Sequence, residues 1–385
     1  MNPIFAEQKT SIFALMSDLA RSVGAVNLGQ GFPDFGWPQD VVESAADALR
    51  TGSNQYPPMR GLPELREAVA AHYRHHQGLD VDSGQVVVTS GATEALAAAI
   101  LSLVTPGDEV VLFQPLYDAY LPLVLRAGGV PRLVRLAPPG WRITEEALAA
   151  VFGDKTRLVV FNNPHNPSSR LFDEEELRLV ADFCVRHDAV AVSDEVWEHL
   201  VFDGRRFLPL SALPGMAERT VKIGSAGKIF SMTGWKVGWV AAPPPLIAAL
   251  AAAHQFLTFT TPPNLQSAVA YGLAKGDDYF DGMRGAFAEV RDGFVRELEA
   301  SGFATLPAEG TYFVPIDLAA SGIGVPDTVF CERAVRECGV AAIPVSAFYD
   351  SQPVTNVVRL CFAKRPETLA AGIEGLRKAK ALFGG

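Results

Sequence analysis

Lys228 lies in the run Gly224-Ser225-Ala226-Gly227-Lys228-Ile229-Phe230-Ser231-Met232-Thr233-Gly234-Trp235-Lys236, and thirty-four residues upstream Asp194 closes the apolar run Ala189-Val190-Ala191-Val192-Ser193. An amine in a small-residue loop can hold an aldehyde as a Schiff base. A carboxylate at the end of a buried strand can keep a heteroaromatic nitrogen protonated, and a protonated ring is a sink for electrons. At 3–4 Å and an effective dielectric near 20, such a charge pair is worth on the order of 4 kcal/mol. Each residue also has an ordinary reading: lysines in Gly/Ser-rich loops are usually solvated, and an aspartate after a strand is usually a turn or cap residue. What the rest of the chain places around them decides between the two.

Three further runs bear on that choice. Ser90-Gly91-Ala92-Thr93 follows an expected strand over 85–89 and opens a helix. Small residues there let backbone N–H groups approach a phosphate, whose charge the helix dipole favours. Asn163-Pro164-His165-Asn166-Pro167 follows a strand ending at Phe161, and its two Asn-Pro steps make a rigid extended turn that can fix the amide of Asn166. Arg359, in Val358-Arg359-Leu360-Cys361-Phe362, offers a planar fork that matches a carboxylate bidentately. Gly29-Gln30-Gly31 is no dinucleotide fingerprint, because Asp34 stands where the third glycine belongs, and 224–228 is no P-loop, because Ile229 replaces Ser/Thr.

Together these runs resemble the class I/II aminotransferases of the fold-type I pyridoxal 5′-phosphate (PLP) enzymes, over 27 to about 364. The resemblance implies that Lys228 carries the cofactor as a Schiff base and moves the proton between the substrate Cα and the cofactor's C4′ carbon. It implies that Asp194 pairs with the pyridine nitrogen and that Asn166 donates to the ring's phenolic oxygen. Ser225, Gly91, Ala92 and Lys236 match phosphate contacts, with Thr93 beside them. Tyr117 matches the aromatic that stacks on the ring. Tyr56, in Gln55-Tyr56-Pro57-Pro58-Met59-Arg60-Gly61, matches a tyrosine that reaches the phosphate of a neighbouring subunit, so the resemblance implies a homodimer with shared sites. Arg359 matches the arginine that grips the substrate α-carboxylate, with Gly31 and Asn166 as further substrate contacts.

The chain departs from the family at two of these places. Trp197 stands where a tyrosine is usual, and an indole N–H can donate but cannot accept or ionise; Trp197 is therefore expected to keep the donation to the cofactor and to lose the tuning. Lys236 stands where many relatives carry arginine, and lysine still binds phosphate as a point charge. The blocks 29–35, 55–61 and 225–239 are most similar to the kynurenine/glutamine/methionine branch, which implies an uncharged aromatic or sulfur-containing amino acid and a 2-oxo acid as substrates, exchanged through the pyridoxamine form. Phe32, Trp37, Tyr117 and Phe348 are candidates for an apolar side-chain pocket. Arg60 and Arg170 keep a dicarboxylate open, including a succinylated diamino acid. A carbon–sulfur β-lyase uses the same carbanion and remains the alternative. A non-catalytic PLP-binding regulator would need a DNA-binding domain ahead of residue 27, where about 26 residues stand.

These residues need elements to position them. Expected strands at 85–89, 110–113, 131–136, 158–161, 190–193 and 221–224 alternate with expected helices such as 62–77, 93–103 and 173–187, where Asp173 reads as an N-cap. Near-continuous apolar strands between helices predict a mostly parallel α/β sheet covered on both faces, with the polar runs beyond its strand ends, where ligands bind. After about residue 281 the pattern changes to a helix over 283–300, strands at 312–316, 340–343 and 357–361, and helices over 327–338 and 366–382. We expect an N-terminal arm and part of the small domain over 1–39, a large PLP-binding domain over 40–280 and a smaller α+β domain over 281–385. A short amphipathic helix over 11–20 is expected near the site.

Bulk properties exclude other classes. The 385 residues carry a net charge of −10, with 49% hydrophobic and 20% charged residues. An acidic folded chain is a poor partner for nucleic acid or an anionic membrane. The four cysteines (Cys184, Cys331, Cys338, Cys361) lack metal spacing and are expected to be buried, reduced thiols, with no metal centre. Glu7 and Lys9 ahead of a short, interrupted apolar stretch do not make a signal peptide, and no apolar tract reaches the roughly 18 residues of a membrane span. The expected location is the cytoplasm. His72 and His76 are four apart but lack a carboxylate pattern, and are expected on a solvated helix face.

Overall fold

A computed structural model describes residues 3–6 and 10–383; Glu7 and Lys9 lie outside the described residues. The centre of the molecule is a seven-stranded sheet. Its strands, in chain order, are β1 (Val86–Thr89), β2 (Glu109–Gln114), β3 (Val130–Arg135), β4 (Thr156–Asn162), β5 (Val190–Asp194), β6 (Thr220–Ser225) and β7 (Gly238–Ala241). In space they run β1-β7-β6-β5-β4-β2-β3. β7 is antiparallel to both neighbours and the pairs from β6 to β3 are parallel. Every residue of β1, β6 and β7 is buried, as a sheet covered on both faces requires.

The strand β7 was not expected, because Gly238-Trp239-Val240-Ala241 follows so soon after Lys236. Its first residue explains its tightness: a Cβ on Gly238 would stand 2.8 Å from the Gly91 carbonyl carbon, so the sheet can close over the turn after β1 only if position 238 carries no side chain. The helices Gln39–Thr51 and Pro263–Leu273, also unexpected, pack on each other. Other elements fall close to expectation. The helix Glu174–Arg186 starts at Asp173, which accepts from the Glu176 N–H while Glu176 returns the bond, a reciprocal capping box.

A second, antiparallel sheet holds β8 (Ala304–Thr305), β9 (Phe313–Asp317), β10 (Ile343–Pro344) and β11 (Val357–Cys361), in the order β10-β11-β9-β8. The segment expected as one strand over 340–343 splits in two. Its first half, Val340–Ala341, pairs in parallel with Val26–Asn27 near the N-terminus. Leu28 O then accepts from Cys361 N at 2.7 Å, which lays Gly29 and Gly31 alongside the strand that carries Arg359. All four cysteines are buried and unbridged. Among the described residues no helix is long and apolar enough to cross a membrane.

Candidate active site

A cavity of about 200 Å³ opens beyond the carboxyl ends of β4, β5 and β6, and Asn166, Asp194, Ser225 and Lys228 line it together with Gly91, Ala92, Thr93, Tyr117, Trp197 and Lys236. Strand ends and following turns deliver these groups from separate parts of the chain. At the floor, Asp194 is 5% exposed. Its Oδ2 accepts from the Tyr120 hydroxyl at 2.7 Å, while its Oδ1 is buried without a partner. Burial pushes the Asp194 carboxyl above its usual range, against the pull of Tyr120, the Val196 N–H and Lys228. An unpartnered buried oxygen of this kind calls for a donor from within the cavity.

At the rim, Gly91 opens the helix Gly91–Leu103 with φ +74°, and a Cβ there would meet Lys236 Nζ at 3.2 Å. Glycine therefore lets the helix N-terminus and the Lys236 ammonium share one spot, with Ser225 beside them. That is a cradle for a doubly charged phosphate. Burial raises the pKa of the Tyr117 phenol, and Thr93 nearby acts the other way. The residues present thus fit PLP: a phosphate cradle, an acid for the ring nitrogen, and an amine for the aldehyde.

Lys228 is half-buried, and desolvation brings its ammonium down to about 8, with Arg359 and Lys236 acting in the same direction and Cys361 and Asp194 opposing. Nζ lies 4.6 Å over the Trp197 ring and donates to the Tyr312 hydroxyl at 3.0 Å. Trp197 thus presents its aromatic face to the lysine, a contact the sequence reading did not anticipate. Tyr312 and Tyr120 were missed as site residues. A signal existed for Tyr120, a second aromatic three residues past Tyr117; the two rings meet edge-on at 5.7 Å. For Tyr312 there was none, since it joins the site through a neighbouring sheet.

Arg359, 1% exposed, donates to Asn166 Oδ1 at 2.6 Å and to Gly29 O at 3.0 Å, and its Nε is buried without a partner. A guanidinium can only donate, so the Asn166 amide must turn its NH₂ elsewhere. The guanidinium sits 3.8 Å over the Phe313 ring, with Phe13 and Phe348 at 5.2 and 5.4 Å, and burial lowers its pKa to about 10. Phe13 arrives on the helix Ile12–Val23, capped by Ser11. Gly31 must be glycine, because a Cβ would stand 2.8 Å from Phe313 Cζ.

Other expected residues stay away from the cavity. Tyr56 is 84% exposed beside Phe259, on a groove it shares with Thr260 and Asn264. Phe32 lies under Lys364, and Trp37 belongs to a separate groove with Ser231 and Trp235; neither lines the cavity, whereas Phe13 and Phe313 pack against the Arg359 guanidinium. Arg60 donates to Gly84 O. Arg170 is held by Glu176 at 2.5 Å. The solvated helix face expected for the histidines is wrong for His72, which is buried with its Nε2 2.7 Å from that of His199; at the surface, Asp277 Oδ1 lies 2.8 Å from His75 Nε2 and supplies the nearby carboxylate that sequence could not show.

Comparison with known proteins agrees with this geometry. The family model for aminotransferase class I and II matches residues 23–376. The chain is 44% identical over 379 residues to a probable N-succinyldiaminopimelate aminotransferase of Mycobacterium tuberculosis, covering 95% of each chain. It is 39% identical over 383 residues to the methionine aminotransferase of Escherichia coli, covering 98% of this chain and 99% of the relative. The solved N-succinyldiaminopimelate aminotransferase structure from M. tuberculosis superposes with a TM-score of 0.94 at 43% identity, over 98% of this chain and 99% of that one.

Proposed function

The chain belongs to the class I and II aminotransferases, and within that family we propose that it moves the amino group of an uncharged aromatic or sulfur-containing L-amino acid to a 2-oxo acid, using PLP bound in the cavity. The observation that carries the reading is the pairing of a buried carboxylate oxygen without a partner, Asp194 Oδ1, with a half-buried cavity amine whose ammonium is brought down to about 8, Lys228. Bound there, PLP supplies the electron sink that accepts the pair released when the Cα–H bond breaks. Asp194 holds the proton on the ring nitrogen. The helix N-terminus at Gly91 and Ala92, with Ser225 and Lys236, would hold the phosphate, and Tyr117, with Thr93 nearby, would lie against the ring. Asn166 turns its amide N–H toward the phenolic oxygen. Arg359 and the Gly31 backbone grip the α-carboxylate and so fix which Cα bond faces the ring. Lys228, half neutral near pH 8 and mostly neutral above it, would take the Cα proton and return it at C4′.

The aromatic surround of Arg359 supports an apolar side chain, as do Arg60 and Arg170, both engaged elsewhere. A second reading, a succinylated diamino acid, is favoured by the 44% identical relative. Tyr56 and Phe256, each 84% exposed, support a homodimer in which Tyr56 serves the partner's phosphate; we place the enzyme in the cytoplasm. The test is a single turnover of the PLP-loaded protein with individual amino acids and no acceptor. One equivalent of the matching 2-oxo acid from methionine or an aromatic amino acid is expected. Faster turnover of N-succinyldiaminopimelate would select the second reading. Pyruvate and ammonia from cysteine conjugates, over many turnovers, would replace both with a β-lyase.

A further inference from the structure

Tyr312 precedes β9 and is fully buried. Its ring is wedged edge-on against Trp197 at 4.4 Å and Phe313 at 5.0 Å. Its hydroxyl makes two bonds in the site: it receives Lys228 Nζ at 3.0 Å and donates to the backbone carbonyl of Gly31. A carbonyl can only accept, so the single phenolic proton is committed to Gly31. Burial raises the pKa of the phenol well above its ordinary value, so the proton stays in place. Toward Lys228 the phenol is therefore an acceptor and nothing else.

That direction matters for a base. A phenol that turned its proton to Nζ would occupy the lone pair that must collect the substrate's Cα proton. A phenol that only accepts takes one N–H and leaves the lone pair free. We propose that Tyr312 is a positioning residue for Lys228: whenever the amine is released, the phenol holds one N–H and, its own proton fixed on Gly31, leaves the lone pair open to the cavity. The same contact ties the lysine to the segment that carries Gly31, so proton transfer and carboxylate binding share one anchor. The inference rests on the reading of Lys228 as the proton carrier.

The test uses the full chain in two states. In the cofactor-free protein, competitive acylation across pH, read by mass spectrometry, gives the titration midpoint of Lys228. An acceptor favours the ammonium, so Tyr312→Phe should move that midpoint down by about one pH unit. The other groups that face Nζ (Asp194, Arg359, Lys236 and Cys361) are the same in both proteins. An upward shift would mean that the phenol donates to the amine, and no shift would mean that the contact is idle; either overturns the proposal. In the PLP-loaded protein the single-turnover rate should fall roughly tenfold to a hundredfold, with substrate half-saturation within threefold and a larger primary isotope effect from α-deuterated substrate. A loss confined to half-saturation also overturns it. Should Tyr312→Phe fail to fold, 3-fluorotyrosine at 312 keeps both contacts and weakens the acceptor, giving a smaller shift of the same sign. Full activity in Lys228→Ala would instead defeat the reading of Lys228 itself, whichever way the midpoint moves.

Discussion

Lys222 and Lys228 stand six residues apart, on β6 and the turn that follows it, Lys222 fully buried and Lys228 half-buried at the cavity wall. Lys222 reaches Glu195 and Glu198, the latter at 2.8 Å, and lies 4.7 Å over the Tyr73 ring. Burial opposes its charge, and the two carboxylates more than offset that, so its pKa is raised. Lys228 meets a phenol and an indole face in place of carboxylates, and its pKa falls to about 8. Desolvation acts on both; the neighbours decide which lysine keeps its charge and which has its ammonium brought down to about 8. A sequence containing both cannot be read from lysine burial alone.

The comparison breaks if the two lysines can be exchanged in role, and the largest expected effect tests that. Lys228→Ala should lower the single-turnover rate on the order of 10⁴-fold, while urea unfolding of the cofactor-free chain stays close to wild type, because no carboxylate is left stranded. Lys222→Met should do the reverse. Removing it leaves two buried carboxylates unpaired, at a cost of about 3–5 kcal/mol in unfolding free energy, with the folded fraction still converting substrate at a rate near wild type. The triple change Lys222→Met, Glu195→Gln, Glu198→Gln should recover much of that stability, since a buried ion cluster is replaceable when all its members go together. Wild-type unfolding in Lys222→Met alone would mean that the cluster contributes nothing to the fold.

How much of this was legible follows the same division. The gathering of the cavity's groups was readable because they stand at strand ends: Asp194 after an apolar run, Ser225 and Lys228 after another, and Gly91 where a strand turns into a helix. Local sequence fixes those places. The surround of Arg359 depends on a small sheet whose strands pair over long separations, so nothing near Tyr312 or Phe313 announces that one meets Lys228 and the other lies under Arg359. Phe32 and Trp37 misled for the same reason, because residue type without tertiary context does not say which side of a loop faces the cavity. His72 misled through its helix: the face judged polar from its histidines is the one that packs on His199 and Phe280.

Those histidines give the smallest and sharpest test, because they adjoin the Lys222 cluster. Burial brings His72 down to about 3, with the charges of His76 and Lys222 acting the same way, and the His72–His199 contact at 2.7 Å requires one ring to accept. The unfolded chain binds a proton at His72 near pH 6.5 and the folded chain does not until about pH 3. Its contribution to stability is therefore intact above 6.5 and is lost as pH falls from 6.5 toward 3. His72→Gln can keep a hydrogen bond to His199 and cannot titrate. It should flatten the fall of unfolding free energy between pH 6 and 4 by about 1.4 kcal/mol per pH unit, measured by urea unfolding at a series of pH values. Combined with Lys222→Met, the flattening should shrink, because a histidine relieved of a neighbouring cation takes up its proton at higher pH in the folded state as well. An unchanged slope in His72→Gln would mean that His72 is already protonated in the fold, and that the Lys222 cluster does not set the charge of what surrounds it.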